Sequence, residues 1–255
     1  MGSTGSYPYL TRDERRRAID AAMAEADGKT PIMVGIGSLR TDDAVQLGLD
    51  AKAAGADAGL LAPVSYTPLT EDEVFTLFET VAGEVALPLC IYNNPGTTHF
   101  SFGAALIGRL SQLPGVQAVK NPAPEPAAVQ GALDELRGMT PAAFSRGFST
   151  DWNAAEAMIA GGDAWYSVVG GLFPAPCIAI RDAAARQDFD TARRINASLE
   201  PLWTLFRTFS SLRVIYAAAN ILGLCATQPP RPILPLPDAA RRQVAEVLEG
   251  LKLTN

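Results

Sequence analysis

Val116-Gln117-Ala118-Val119-Lys120-Asn121 is a short, largely apolar run that closes on a lysine. A run of this length reads as a buried strand, and such a strand carries an amine at its C-terminal end. The chain has four lysines, Lys29, Lys52, Lys120 and Lys252, against seventeen arginines. The other three lysines stand in polar, helix-like or terminal surroundings. The choice of lysine matters because burial can turn an ammonium into a free amine nucleophile, whereas a guanidinium stays charged. Taken alone, a strand-end lysine more often simply keeps its head in water.

Working upstream from this run, Leu87 to Tyr92 predicts another strand, followed by a helix from near Ser101. Before it, Thr70 with Glu73 spells a capping box that opens a helix to about Ala82. Ala58 to Pro63 predicts a strand, preceded by helix-like Thr41 to Ala54. Pro31 to Gly37 is an apolar run closed by glycine, as a buried parallel strand requires. Thr11 with Glu14 is a second capping box, starting a helix to about Ala26. Downstream, Pro126 to Arg137 is an Ala-rich helix, and Ala142 to Phe148 a strand interrupted by Ser145 and Arg146. A helix capped by Thr150 or Asp151 runs to Ala160, and Ala164 to Val169 is the last strand.

Strands and helices therefore alternate, with strand starts about 20 to 30 residues apart, which implies a parallel sheet with right-handed crossovers. After Val169 the chain is all helical: Pro174 to Arg186, Asp188 to Phe209, Ser211 to Leu222 and, beyond a proline-rich link at Pro229 to Pro237, Asp238 to Leu251. One domain is expected. The count of strands is six, whereas a closed barrel of this type has eight. The expectation is that two strands and a helix are missing ahead of Gly2, and that the natural chain begins upstream of Met1.

Composition narrows the function. A length of 255 residues suits one large α/β domain, and 48% hydrophobic against 19% charged residues gives ample core. A net charge of −6 lacks the basic face that nucleic acid or an anionic membrane requires. No apolar run nears the roughly 18 residues of a membrane span, and no signal pattern opens the chain, so a cytoplasmic location is expected. Cys90, Cys177 and Cys225 read as small buried hydrophobes, not a disulfide framework. The lone His99 cannot build a histidine metal site and is expected to be exposed.

In parallel sheets the chemistry sits at the C-terminal ends of the strands. Those ends read Tyr92-Asn93, Lys120-Asn121, Phe148-Ser149 and Tyr166-Ser167, joined by the opening loop Ser3-Thr4. A nucleophilic amine, a phenol able to carry a proton and hydroxyls able to grip a carboxylate form a coherent set. No carboxylate shares these positions, which argues against a paired-acid hydrolase. Gly35-Ile36-Gly37 lacks the third glycine of a dinucleotide loop, and Gly170-Gly171 reads as a plain turn more readily than as a phosphate seat.

Gly2-Ser3-Thr4-Gly5, Tyr92-Asn93-Asn94-Pro95-Gly96 and Val119-Lys120 together resemble three signatures of the dihydrodipicolinate synthase and N-acetylneuraminate lyase family of Schiff-base class I aldolases. Gly55-Ala56-Asp57-Ala58 and the closing helices are similar too, so the resemblance spans the chain in order. It implies a (β/α)8 TIM barrel, here without its first two strands, with a C-terminal helical extension. Residues 1–172 would carry the barrel strands and 173–255 the last barrel helix and the extension.

It further implies a homotetramer or homodimer, no cofactor, no metal, and a lyase that forms an imine with pyruvate or another 2-oxo acid. Lys120 would form the imine and Tyr92 would shuttle protons. Ser3 and Thr4 would hold the carboxylate, with Ser3 also relaying protons from Tyr92. Ser149 and Tyr166 fall where the family lines its pocket, although a helix-leading serine and a packed aromatic explain them equally well.

Two departures set the chain apart from dihydrodipicolinate-forming members. Thr97 stands where those enzymes carry an arginine for the second substrate's carboxylate. Ser65 stands where they lend a tyrosine across the dimer interface, and Tyr66 follows one residue on. An aldolase or dehydratase for another 2-oxo acid is therefore expected. The alternative is a noncatalytic 2-oxo acid-binding paralogue on the same scaffold, which would not need Lys120.

Overall fold

The computed structural model describes residues 2–253; Met1, Thr254 and Asn255, which fall at the ends of the expected spans 1–172 and 173–255, lie outside the described residues. Two compact units divide the chain. One runs to Pro122 and includes Gln130–Phe148; the other takes Ala123–Val129 and the chain from Ser149 on. Among the described residues there are six strands, as many as the sequence predicts.

The first unit opens with a 3₁₀ turn, Tyr7–Tyr9, which the sequence did not signal. It continues α1 (Arg12–Ala26), β1 (Met33–Gly35), α2 (Thr41–Ala53), β2 (Ala58–Leu61), α3 (Glu71–Val85) and β3 (Leu89–Tyr92). Then come α4 (Pro95–Thr98), α5 (Ala104–Leu110), β4 (Val116–Pro122), α6 (Val129–Met139) and β5 (Ser145–Ser149), whose last residue falls in the other unit. β1 pairs with β2, β2 with β3 and β3 with β4, all parallel.

Both expected capping boxes form: Thr11 Oγ1 accepts from the Glu14 amide while Glu14 accepts from the Thr11 amide, and Thr70 and Glu73 do the same. These reciprocal bonds satisfy amides that a helix start otherwise leaves orphaned. All four residues of β3 are buried, as a parallel strand covered on both faces must be. Phe78, Phe100 and Phe102 meet edge to face, with ring centroids 5.9 and 5.0 Å apart, and brace the chain that leaves β3.

Three local expectations change. The helix expected from near Ser101 starts at Ala104, behind Gly103 in extended geometry, and a short helix that was not expected, α4, precedes it. The fifth strand starts at Ser145 instead of Ala142; Phe144 N–H bonds back to Pro141 O in a turn, and the interrupting Arg146 is itself a strand residue. Cys90 and Cys177 are buried, but Cys225 is exposed, since it lies in the irregular segment beyond Gly223.

The second unit holds α7 (Ala154–Ile159), β6 (Ala164–Trp165), α8 (Pro174–Ala185), α9 (Phe189–Ser198), α10 (Glu200–Phe209), α11 (Ser211–Ile221) and α12 (Asp238–Gly250). The helix foreseen from Asp188 to Phe209 breaks at Leu199, next to Pro201. The last strand is two residues long instead of six. Neither Thr150 nor Asp151 caps α7: Thr150 is left-handed (φ 66°) and makes no capping bond. The Asp151 carboxylate instead accepts from the Val168 and Val169 amides and the Trp165 indole, at 2.8–3.1 Å. Those bonds fold Val169–Gly171 into a 3₁₀ turn, so Gly170-Gly171 is a turn, with the Gly170 amide donated to Ser167 Oγ. The core of this unit is built on Trp203, Phe206 and Val214. Among the described residues no helix is long and apolar enough to cross a membrane.

Candidate active site at the ends of β3 and β4

An irregularity in the sheet sets the geometry. Leu89 pairs with Val116 but Cys90 pairs with Ala118, so Gln117 is an extra residue, a bulge in β4. Beyond it Ile91 pairs with Val119 and Tyr92 with Lys120. A regular ladder from Leu89–Val116 would have set Val119 beside Tyr92 and turned Lys120 to the other face. Bulges re-aim side chains in this way near functional sites. Laterally paired residues of a sheet point to one side, and the Lys120 Nζ stands 4.3 Å from the centroid of the Tyr92 ring.

The opening turn reaches the same place. The Ser6 amide bonds to Ser3 O at 2.9 Å, and Ser6, buried, takes left-handed geometry at φ 55°. This turn delivers the Ser3 Oγ to 2.9 Å from the Tyr92 hydroxyl. Asn94, two residues after Tyr92, donates its side-chain amide to both oxygens, at 3.2 Å to Ser3 Oγ and 3.1 Å to Tyr92 Oη. Three polar groups thus close a triangle beside the amine of Lys120. Thr4 is half-buried in the same turn.

Three further features were not foreseen. Asn93 is buried and donates to Asn121 Oδ1 at 2.9 Å, while its backbone amide bonds to Lys120 O at 3.0 Å. The end of β3 is thereby fastened to β4 at the lysine's own carbonyl and at the residue after it. Tyr7 is buried, with the Arg15 guanidinium 5.1 Å from its ring centroid. Burial, reinforced by Tyr92 nearby and opposed by Arg15, pushes the Tyr7 phenol up to about 12, so it remains protonated at neutral pH. Arg15 is itself buried, donates to Gly37 O at 3.4 Å, and among the described residues has no carboxylate within ion-pair distance.

Some signal for these residues was present. Tyr92 and Asn94 are two apart at a strand end, where side chains of like parity share a face. Arg15 and Ile19 are four apart on α1, and both are buried.

The remaining expected residues are placed less tightly. Thr97 is exposed, and its hydroxyl donates to Asn94 O at 3.2 Å. Ser149 and Tyr166, both half-buried, belong to the second unit. The Ser65 hydroxyl closes its own turn on Thr67 O at 2.6 Å, and Tyr66 is 97% exposed. His99 is exposed. Among the described residues no group of three or more His, Cys, Asp or Glu is disposed to hold a metal ion.

The profile of the dihydrodipicolinate synthetase family matches residues 1–251. The chain belongs to that family. It is 31% identical over 254 residues to 4-hydroxy-tetrahydrodipicolinate synthase of Parvibaculum lavamentivorans, covering 100% of this chain and 86% of that one. The crystal structure of dihydrodipicolinate synthase from Agrobacterium tumefaciens is similar with a TM-score of 0.95 at 54% identity, over 98% of this chain and 84% of that one. The chloride-inhibited synthase from Acinetobacter baumannii, solved with pyruvate, is similar with a TM-score of 0.91 at 26% identity, over 99% and 85%. The alternation of strands and helices is thus that of the family's TIM-barrel-like fold.

Proposed function

We propose that the protein is a Schiff-base lyase, an aldolase or dehydratase, acting on pyruvate or another 2-oxo acid. The observation that carries this reading is the Lys120 amine 4.3 Å from the Tyr92 ring, with Ser3 Oγ 2.9 Å from the Tyr92 hydroxyl. Lys120 attacks the keto carbon, and the carbinolamine loses water to give a protonated imine. That imine is an electron sink: loss of a neighbouring proton yields an enamine, and the reverse sense breaks a carbon–carbon bond. Tyr92 moves protons on and off the reacting oxygens. Ser3 relays them and, with Thr4, binds the carboxylate through hydroxyls and turn amides. The pyruvate in the Acinetobacter baumannii relative's crystal is consistent with that donor.

Thr97, in place of an arginine, argues for a second substrate without a carboxylate at that point, one that is neutral and hydroxyl-bearing. Residues 1–172 carry the barrel and 173–255 its last helix and the helical extension. The enzyme works in the cytoplasm as a homo-oligomer, and the bare ring of Tyr66 suits burial against another copy.

Borohydride reduction in the presence of pyruvate tests the reading. A reduced pyruvyl adduct on Lys120 is expected by peptide mass mapping. Lys120→Ala should keep its circular dichroism spectrum, lose the adduct and drop turnover by more than about a thousandfold. An unmodified Lys120 with pyruvate, and then with a panel of 2-oxo acids, would leave the noncatalytic binder as the reading.

A further inference from the structure

We propose that Asn94 is a positioning residue of the proton relay, donating its side-chain amide to Ser3 and Tyr92 at once. This rests on the Schiff-base reading and adds to it a residue that reading does not require. The triangle is closed: 2.9 Å between the two hydroxyl oxygens, 3.1 and 3.2 Å from Asn94 Nδ2 to each. Two hydroxyls alone can donate in either sense and swing away from each other. A shared amide donor fixes where both oxygens lie and occupies their lone pairs from one side.

Asn94 is itself held rigidly. Its carbonyl accepts the Thr97 and Thr98 amides, both at 3.0 Å, and their hydroxyls at 3.2 and 3.1 Å. The first turn of α4 therefore serves as its mount.

The chemistry explains the donor. When the carbinolamine collapses, Tyr92 gives its proton to the departing oxygen. The nitrogen lone pair closes the C=N bond as the C–O bond breaks, and water leaves. The phenolate that remains accepts from Asn94 and from the Ser3 hydroxyl. If Ser3 then returns its proton to Tyr92, the charge moves to Ser3 Oγ, which Asn94 also reaches. One amide serves both ends of the exchange, where preorganised donors act most strongly. The other groups facing Tyr92 are the Lys120 amine over its ring and the neutral Tyr7.

The test measures the rate of imine formation with pyruvate, after borohydride trapping on the wild type has established that the imine forms. Failure at that first step would sink the Schiff-base reading and this proposal with it, whereas a normal imine formed at undiminished rate by the Asn94 variants would sink this proposal alone. Asn94→Leu should slow imine formation roughly 10- to 100-fold, the worth of one hydrogen bond to a charged group. Half-saturation by pyruvate should stay within about twofold, and the effect should vanish in a Tyr92→Phe background, because residues acting as a unit are not additive. Asn94→Asp has the same shape but no donor and should be as slow as Asn94→Leu. Wild-type rates in Asn94→Asp, or an undiminished Asn94→Leu effect in Tyr92→Phe, would overturn the proposal. Should Asn94→Leu fail to fold, Asn94→Asp alone decides.

Discussion

Asp151 places a carboxyl where burial makes its charge expensive. Burial pushes its carboxyl above the usual range, while bonds from Val169, Trp165, Val168 and Ser167 pull it back. Because the folded value is raised, its stabilising contribution is complete below the ordinary carboxyl value, about 4, and is lost as pH rises through the folded value. Both oxygens accept from N–H donors, so Asp151→Asn must turn an amide against at least one of them. A loss of about 1–3 kcal/mol is expected. In urea unfolding followed from about pH 4 to pH 8, the wild-type advantage should be greatest at the acid end and narrow as pH rises. A gap that widens with pH would refute this account. Residues also differ in how plainly they announce themselves. Lys120 stands out by chemistry alone, because it is the one lysine at a strand end. Asn94 does not, since its role depends on two hydroxyls reaching it from 2 and 91 positions away.

At the scale of the elements, helix starts were the most legible feature, because a capping box is a local bargain among four residues. Strand and helix interruptions were not, since they depend on which neighbour supplies a bond. Gly48 shows the same point in packing. It lies mid-way in α2, where glycine costs about 1 kcal/mol relative to alanine. By propensity Gly48→Ala should therefore stabilise. A Cβ at that position, however, would stand 2.8 and 2.9 Å from the two γ-carbons of Val85 at the end of α3. Valine is stiff at χ1 and cannot step aside, so overpacking prevails. Gly48→Ala should lower stability by about 1–2 kcal/mol, read as a lower urea midpoint with unchanged slope. A raised midpoint would show that α2 and α3 can move apart freely.

Across the molecule, the fold class followed from alternation and the reaction class from three short motifs. Missing from the sequence was the register that joins them, because nothing in Val116 to Lys120 marks which residue will go unpaired. The position of Lys120 is in effect counted off in residues from the entry of its strand, and Gln117 is the uncounted one. Removing Gln117 would leave a regular ladder in which the lysine still meets Tyr92. A one-residue deletion inside a central strand should therefore be survivable here, with the borohydride adduct retained. Deleting Val119 instead should restore a regular ladder only by exchanging a wholly buried valine for a half-exposed alanine, costing the core a large side chain. The spare residue marks a place where the chain's length can change without disturbing its chemistry.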